Sequence, residues 1–411
     1  MVVGTHGCGT EGDVSGDDAG TPSGGPGPGA GASATGDGLR RRRRRRRLRL
    51  SGTVVTVLAL AAAGLGWTVY SRLDGNITAD EAAAAELARY EEERPTALVR
   101  GAQNVLVIGS DSRSGDGNAR YGRDSGTERS DTTILLHLSA GRDSATAVSL
   151  PRDLMVDVPG CHRPDGSRTE PVFTQFNYAF GAGGSACTIR TLEKLTGIRI
   201  DHHVVVDFQG FKEMVDALDG VEVCLRKPVD DKNAELKLPA GRVTLDGEQA
   251  LGYVRARKSL GDGSDTDRMD RQQRFLGALV DKVQSDDVLL NPVKLYPVLD
   301  AATSSLTTDP DLASLRGLYG LMRGLRGIPT ERVQFLTVPR EPYAGDANRD
   351  QLVEPDAEKL FTRLRTDEPV TVAAADEPDT AAGSGNPRDP GTGDSPTPTF
   401  SGNTAGEDAC G

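Results

Sequence analysis

The 411-residue chain carries 48 Lys+Arg against 60 Asp+Glu, is 36% hydrophobic and holds 50 Gly and 23 Pro, so two or three domains fit but a chain packed from end to end is excluded. The formal net charge of −12 is unevenly spread: residues 1–50 hold nine Arg against five acids, a net +4, and residues 51–70 hold no charge, which leaves −16 for the rest. A body that acidic repels a phosphate backbone, so no nucleic-acid partner is expected for it.

Up to Gly38 the chain is Gly, Pro, Ser, Thr, Ala and Asp with almost no large apolar side chain. With the Arg block that follows (Arg40 to Arg47, and Arg49), residues 1–50 read as a disordered tail. Ser51 to Tyr70 (SGTVVTVLALAAAGLGWTVY) is uncharged and would rise about 30 Å as a helix, the thickness of a bilayer core. Trp67 and Tyr70 stand where interfacial aromatics belong, and the Arg excess ahead of the span sets the N-terminus in the cytoplasm. The expectation is a single-pass transmembrane helix over 51–72 with an extracytoplasmic body. Residues 73–99 then form a helical stalk, Ala- and Glu-rich over 78–94 and stopped by Pro95.

Residues 100–375 form the body. Short Val/Ile/Leu-rich strands are expected at Asn104–Gly109, Thr132–Leu138, Ala145–Leu150, His203–Asp207, Val221–Leu225 and Arg332–Val338. Helical periodicity marks Thr188–Leu195, Gly210–Leu218, Asp267–Val283, Leu312–Leu325 and Asp356–Leu364. Strands interleaved with helices predict an α/β class domain with both faces of its sheet covered. Residues 376–411 return to Gly, Pro, Thr, Ser and Asp and read as a disordered tail. Cys161 and Cys187 flank a loop-rich stretch outside the membrane and are the expected disulfide; Cys224, in an apolar strand, reads either as a packed thiol or as paired with Cys410. No zinc-type Cys or His spacing is present, and adjacent His202 and His203 read as structural.

Four segments put charge at the ends of apolar strands. Asp111 emerges after NVLVIGS, Arg129 and Asp131 precede TTILL, Arg152 follows AVSLP, and Arg255 and Arg257 open a run that reaches Gln273. Two carboxylates from strand ends, Asp111 and Asp131, can hold one hard divalent cation and leave positions for phosphate oxygens, as Mg²⁺ prefers. Arginines then offer forked, permanently charged donors to the remaining oxygens. Arg255 and Arg257, two apart, share one side of an extended backbone. Asp265 and Arg268 stand at the start of a helix, where anions are favoured, with Arg271 one turn on. No Walker-type loop, nucleophile elbow or dinucleotide fingerprint is present, and GAGG at 181–184 is a weak phosphate signal.

In consistent order over about residues 100–285, NVLVIGSDSR, RSDTTILLHL, AVSLPRD, FNYAFGAGG, LTGIRIDHHVVVDFQGFKEMVDALDGVEVCL, LDGEQALGYVRAR and DRMDRQQ resemble the LytR–CpsA–Psr family. With Arg far outnumbering Lys, the resemblance is to its actinobacterial type. It implies an α-β-α sandwich, a central mixed sheet flanked by helices, with a hydrophobic groove for a polyprenyl chain. The implied activity is transfer of a glycopolymer with its phosphate from undecaprenyl pyrophosphate onto peptidoglycan, forming a phosphodiester. Carried over by position, Asp111 and Asp131 match the Mg²⁺ aspartates (Mn²⁺ being a substitute), and Arg129, Arg152, Arg255, Arg257 and Arg268 match the pyrophosphate arginines. Asp265 matches the acid that orients them, and Gln175, Asn177 and Arg271 fall among the substrate-binding positions. Gln175 departs from the family's Lys in its K-x-N motif, and the spacing from Arg257 to Asp265 is one residue long. A Mg²⁺-dependent polyprenyl-pyrophosphate phosphatase using the same residues, and a membrane-bound transcriptional attenuator, are the alternative readings.

Overall fold

The computed structural model describes residues 36–110, 130–163, 165–231, 234, 236–256, 265–285, 291–373 and 398–407, with side chains of the first helix from Arg49 onward. The chain divides into two units, Met1–Leu65 and Gly66–Gly411. Helix α1 (Gly36–Asn76) takes in the Arg run, so the disorder expected up to residue 50 gives way to helix from Gly36 onward. Arginine is a strong helix former and continues the apolar helix behind it. Within α1, Arg49–Asn76 is long and apolar enough to cross a membrane, and none of its most apolar window is buried.

After α1 come β1 (Thr78–Ala79) and α2 (Glu81–Arg89), then β2 (Gln103–Ser110), β3 (Ser130–Leu138), β4 (Ala145–Leu150), β5 (Met155–Val158) and β6 (Val172–Gln175). Helix α3 (Tyr178–Thr196), β7 (His202–Val206) and α4 (Phe208–Ala217) follow. Next are the short strands β8 (Val221–Leu225), β9 (Val229–Asp231), β10 (Leu236–Leu238) and β11 (Gly241–Leu245). The remainder is α5 (Gly247–Arg255), α6 (Asp265–Gln284), α7 (Pro292–Ser305), β12 (Leu306–Thr308), α8 (Leu315–Arg326), β13 (Val333–Thr337), β14 (Arg340–Tyr343), β15 (Asp346–Leu352), α9 (Asp356–Arg365), β16 (Thr371–Ala373) and β17 (Thr399–Thr404). Among the described residues one nine-stranded sheet runs β1-β12-β7-β2-β3-β4-β13-β17-β16. It is mixed: β2–β7 and β4–β13 are parallel, β2–β3 and β3–β4 antiparallel.

Alternation along the strands sorts the core into two layers. Leu106, Ile108, Leu135, Val148 and Leu336 point to one face, where they meet Ile189 and Leu192 of α3 and Leu360 and Phe361 of α9. Ile134, Leu138, Ala147 and Phe335 point to the other, under Leu276 and Val280 of α6 and Leu321 and Leu325 of α8. These are the covered faces that the sequence predicts, and the resulting layers are the α-β-α sandwich. A satellite core joins β8–β11 to α4, α5 and Phe275. Helix starts follow local chemistry: Asp207 and Ser314 cap α4 and α8 through the amides of Gly210 and Gly317, and Asp246 with Gln249 closes a capping box on α5.

Three expectations are corrected. Residues 399–404, inside the segment expected to be a disordered tail, form β17 beside β13, with Phe400 and Ala405 buried. A single six-residue strand has no repeat to reveal it among Gly, Pro and Ser. Arg255 ends helix α5 instead of lying on extended backbone, because the capping box starts a helix that Gly247–Arg255 completes. Of the two readings of Cys224 the packed thiol falls away: it is disulfide-bonded, with a partner outside the described residues. The Cys161–Cys187 disulfide is present, with Cα atoms 5.7 Å apart. Gly183, in the kink of α3 beside it, has no room for a side chain: a Cβ would lie 2.9 Å from the His162 carbonyl oxygen and 3.0 Å from the Cβ of each bridged cysteine.

The segment after α1 is pinned through Asp80. Its carboxylate caps α2 through the Ala83 amide at 3.0 Å, accepts from Ser185, and faces His203 Nε2 at 3.3 Å. Burial alone would raise this carboxyl, but the hydrogen bonds from His203, Ser185 and Ala83 and the His203 charge bring it down to about 2. Its contribution is therefore fully present above the unfolded value of 3.8 and lost as pH falls through about 2. Asp80→Asn is expected to remove about 2 kcal/mol of stability at neutral pH and to flatten the acid limb of a urea-midpoint-against-pH profile between roughly pH 4 and 2. An unchanged acid limb would contradict this assignment.

Candidate active site

The sheet topology brings three strand ends together. Strands β2 and β4 run antiparallel to β3, so β2 ends and β3 begins at the edge where β4 also ends. A register irregularity between Gly109 and Ser110 lets Ser110 pair with Ser130. Such a bulge re-aims the residues beside it. Ser110 and Ser130 immediately precede Asp111 and Asp131 in the chain. Asp111, Arg129, Arg257 and the side chain of Asp265 lie outside the described residues.

Asp131, at the start of β3, is partly exposed and accepts from Arg152 Nη1 at 2.7 Å. Arg152 stands in the turn after β4, where Pro151 ends the ladder; its Nε donates to Asp153 Oδ2 at 3.2 Å. The other Asp153 oxygen accepts from Arg349 Nη1 at 3.0 Å. Arg349 comes from β15 and also donates to the side-chain amide oxygen of Gln175 on β6. The Asn177 amide donates to the Arg152 carbonyl at 3.0 Å, and buried Asn177 occupies the N-cap position of α3. Asp131, Arg152, Gln175 and Asn177, far apart in sequence, thus share one contact chain through Asp153 and Arg349.

The remaining residues form a second group on α5 and α6. Arg255 is exposed, its guanidinium carbon 4.6 Å from the Phe208 ring centroid. Arg268 and Arg271, in the first two turns of α6, are buried, and Arg271 donates to the Ala256 carbonyl just after Arg255. Burial pushes the Arg271 pKa down, that of Tyr253 up and the Asp270 carboxyl up; Arg274 and Arg340 pull Asp270 the other way. Gln273 ties this helix to the strand-end edge, donating to Ser149 Oγ on β4 at 3.1 Å and to Thr337 Oγ1 on β13 at 3.0 Å.

Arg349, its partner Asp153, and the Arg340–Asp350 pair of the β14–β15 hairpin are additions that sequence reasoning missed. A turn signal, Ala344-Gly345-Asp346 between two short runs, marks the hairpin, but nothing local pairs it with Leu154, just before β5. The arrangement offers permanently charged donors around carboxylates, suited to an oligoanion such as a diphosphate. Among the described residues no cluster of three or more His, Cys, Asp or Glu could hold a metal. Asp131 contributes one hard oxygen-donor side chain, the type Mg²⁺ takes, and needs a second carboxylate to complete such a pair.

A family model described as the LytR_cpsA_psr family matches residues 73–366. Over 270 residues the chain is 36% identical to the probable cell wall biosynthesis protein LcpB of Corynebacterium glutamicum, covering 64% of this chain and 61% of that one. It is 30% identical over 261 residues to the polyisoprenyl-teichoic acid–peptidoglycan teichoic acid transferase TagT of Bacillus subtilis, covering 61% of this chain and 74% of that one. The match spans only 50% of a second Corynebacterium glutamicum relative, the cell wall biosynthesis protein LcpA, and 58% of this chain at 35% identity. The fold is similar to a LytR-Csp2A-Psr enzyme from Actinomyces oris, with TM-score 0.52 and 22% identity over 66% of this chain and 93% of that one.

Proposed function

Because the chain belongs to the LytR–CpsA–Psr family, we propose that it is a membrane-anchored phosphotransferase that moves a glycopolymer with its phosphate from undecaprenyl pyrophosphate onto peptidoglycan. The observation that carries this reading is the Asp131–Arg152–Asp153–Arg349 chain at the strand-end edge, a guanidinium-rich cradle for a diphosphate. Val107, Val204, Val206 and Leu136 support it. By register they share one sheet face, the one under α6 and α8, and all are only half-buried, so a polyprenyl tail would find apolar side chains between the sheet and those helices. Arg49–Asn76 would anchor the chain, with the N-terminus cytoplasmic and the body outside.

In the proposed reaction a sugar hydroxyl of peptidoglycan attacks the phosphorus that carries the polymer. The bond from that phosphorus to the bridging oxygen breaks, undecaprenyl phosphate leaves, and the hydroxyl proton passes to a carboxylate of the cluster. Arg152, Arg255 and Arg268, with Arg129 and Arg257, hold the phosphate oxygens as charge shifts onto the leaving group, and positioning supplies most of the acceleration. Asp131 with Asp111 would hold Mg²⁺ or Mn²⁺, an ion that supplies further neutralisation of the diphosphate. Asp265 and Asp153 orient guanidinium groups, and Gln175, Asn177 and Arg271 position the cradle.

The test incubates the full chain with lipid-linked polymer and peptidoglycan and follows both products. Polymer joined to peptidoglycan supports the reading; release of free phosphate products alone replaces it with the phosphatase. In the same assay Arg349→Ala is expected to lower kcat/KM about tenfold, with Arg349→Lys recovering part of it, since Lys keeps the charge but not the fork. Full activity in Arg349→Ala would remove that residue from the cradle.

A further inference from the structure

Helix α8 presents an unusual outer face. Arg316, Tyr319, Arg323 and Arg326 recur at intervals of three and four and are all exposed, with Met322 beside them. Tyr319 is 69% exposed and Met322 45%. The helix carries no acidic residue, and among the described residues none of its three arginines makes an ion pair. The opposite side is spoken for, since Leu321 and Leu325 pack onto the sheet. A face turned to bulk water would mix charge signs and avoid a bare Tyr and Met. A basic, aromatic-bearing stripe matches the interfacial layer of an anionic bilayer, where arginine heads meet phosphates and Tyr and Met reach the first acyl carbons.

The position of α8 agrees. Its first amide, at Leu315, donates to Asp74 Oδ1 at 2.8 Å. Asp74 lies one helical turn, about 6 Å, beyond Tyr70, the interfacial aromatic that closes the apolar span. The neighbouring α7 is tied to the same stretch, Asn76 Nδ2 donating to Asp300 Oδ1 at 3.1 Å, and places Leu299, 37% exposed, beside that contact. From these observations we infer that α8 is a second membrane contact, lying in the headgroup layer of an anionic phospholipid surface where α1 leaves the bilayer. This rests on Arg49–Asn76 being a membrane span and is independent of the transferase reading. Its consequence is orientational: one helix lets the body swivel, whereas a span plus an interfacial helix fixes which side of the domain faces the lipid.

The chain has a single Trp, so Trp67→Phe with Tyr319→Trp makes a one-fluorophore reporter of the full-length protein. It is placed in nanodiscs of phosphatidylcholine alone, or of two parts phosphatidylcholine to one part phosphatidylglycerol, with brominated acyl chains as quencher. The expected result is a blue-shifted emission quenched about twofold in the phosphatidylglycerol discs. Quenching should return towards the phosphatidylcholine value when Arg316→Glu, Arg323→Glu and Arg326→Glu are added. A reporter at Glu341→Trp, on the β14–β15 hairpin, should stay unquenched. Emission at position 319 that is unquenched in the anionic discs overturns the inference, as does quenching that survives the three charge reversals. A blue shift without bromine quenching also overturns it, because protein would then cover the face. The reporter reads depth and not turnover, so it can fail while polymer transfer persists, and the reverse.

Discussion

Asp131→Asn is expected to lower polymer transfer on the order of 10²-fold while leaving the melting curve in place. The amide keeps the shape of the carboxylate and can still accept from Arg152, so the 2.7 Å contact survives as a neutral hydrogen bond. What disappears is the negative charge that pairs with Arg152 and that the proposed divalent cation would need. Asp131 is 38% exposed and Arg152 23%, so the pair itself adds no more than about 1 kcal/mol to folding. The experiment measures initial rates of labelled polymer transfer alongside thermal unfolding of the same preparation. Wild-type rates in the variant would remove Asp131 from the reaction, and a collapsed melting curve would mark it as structural.

The largest effect on stability is expected from Glu193→Ala, about 3–5 kcal/mol. Glu193 lies in α3 with its side chain 3% exposed, and Arg94 meets it at 2.7 Å while only 10% exposed itself. Each partner has a further obligation: Arg94 Nη2 donates to the Ile200 carbonyl at 2.6 Å, and the Ile200 amide donates to Glu193 Oε1 at 2.9 Å. Removing the carboxylate leaves the Ile200 amide unpaired and the buried guanidinium, among the described residues, with only the weaker 3.5 Å ion pair to exposed Glu91, which is why the loss exceeds that of a surface pair. Urea denaturation, comparing Glu193→Ala with the exposed-pair variant Glu222→Ala on β8, checks it; equal midpoints for the two would refute the buried network.

What the sequence revealed and what it hid divide along physical lines. The strands of the central sheet are apolar runs bounded by turn residues, and Ala145–Leu150 and Val221–Leu225 fall where their patterns end. Long amphipathic helices such as α6 and α9 carry enough turns for their period to stand out. Strands of three or four residues, such as β9, β10, β14 and β16, are too short for any period and exist only through their partners. The site shows the same split. Asp131 and Arg152 stand out as a candidate pair because each abuts a buried strand, whereas Arg349 belongs to a hairpin that meets Asp153 and Leu154 only in the folded chain. The two-residue spacing of Arg255 and Arg257 suggests extended backbone, but the capping box begun by Asp246, nine residues before Arg255, sets a helix there.

Strand β17 has a consequence for how the body is made. It lies between β13 and β16, and its pairing with β13 closes a ladder whose other side is held by β4. A body synthesised from its N-terminal side cannot complete this ladder until residues near 400 have been made, so β13 waits with its backbone groups open to any other strand. Truncations made after α9, or bulky fusions placed close to Thr404, would therefore yield a product prone to intermolecular strand pairing.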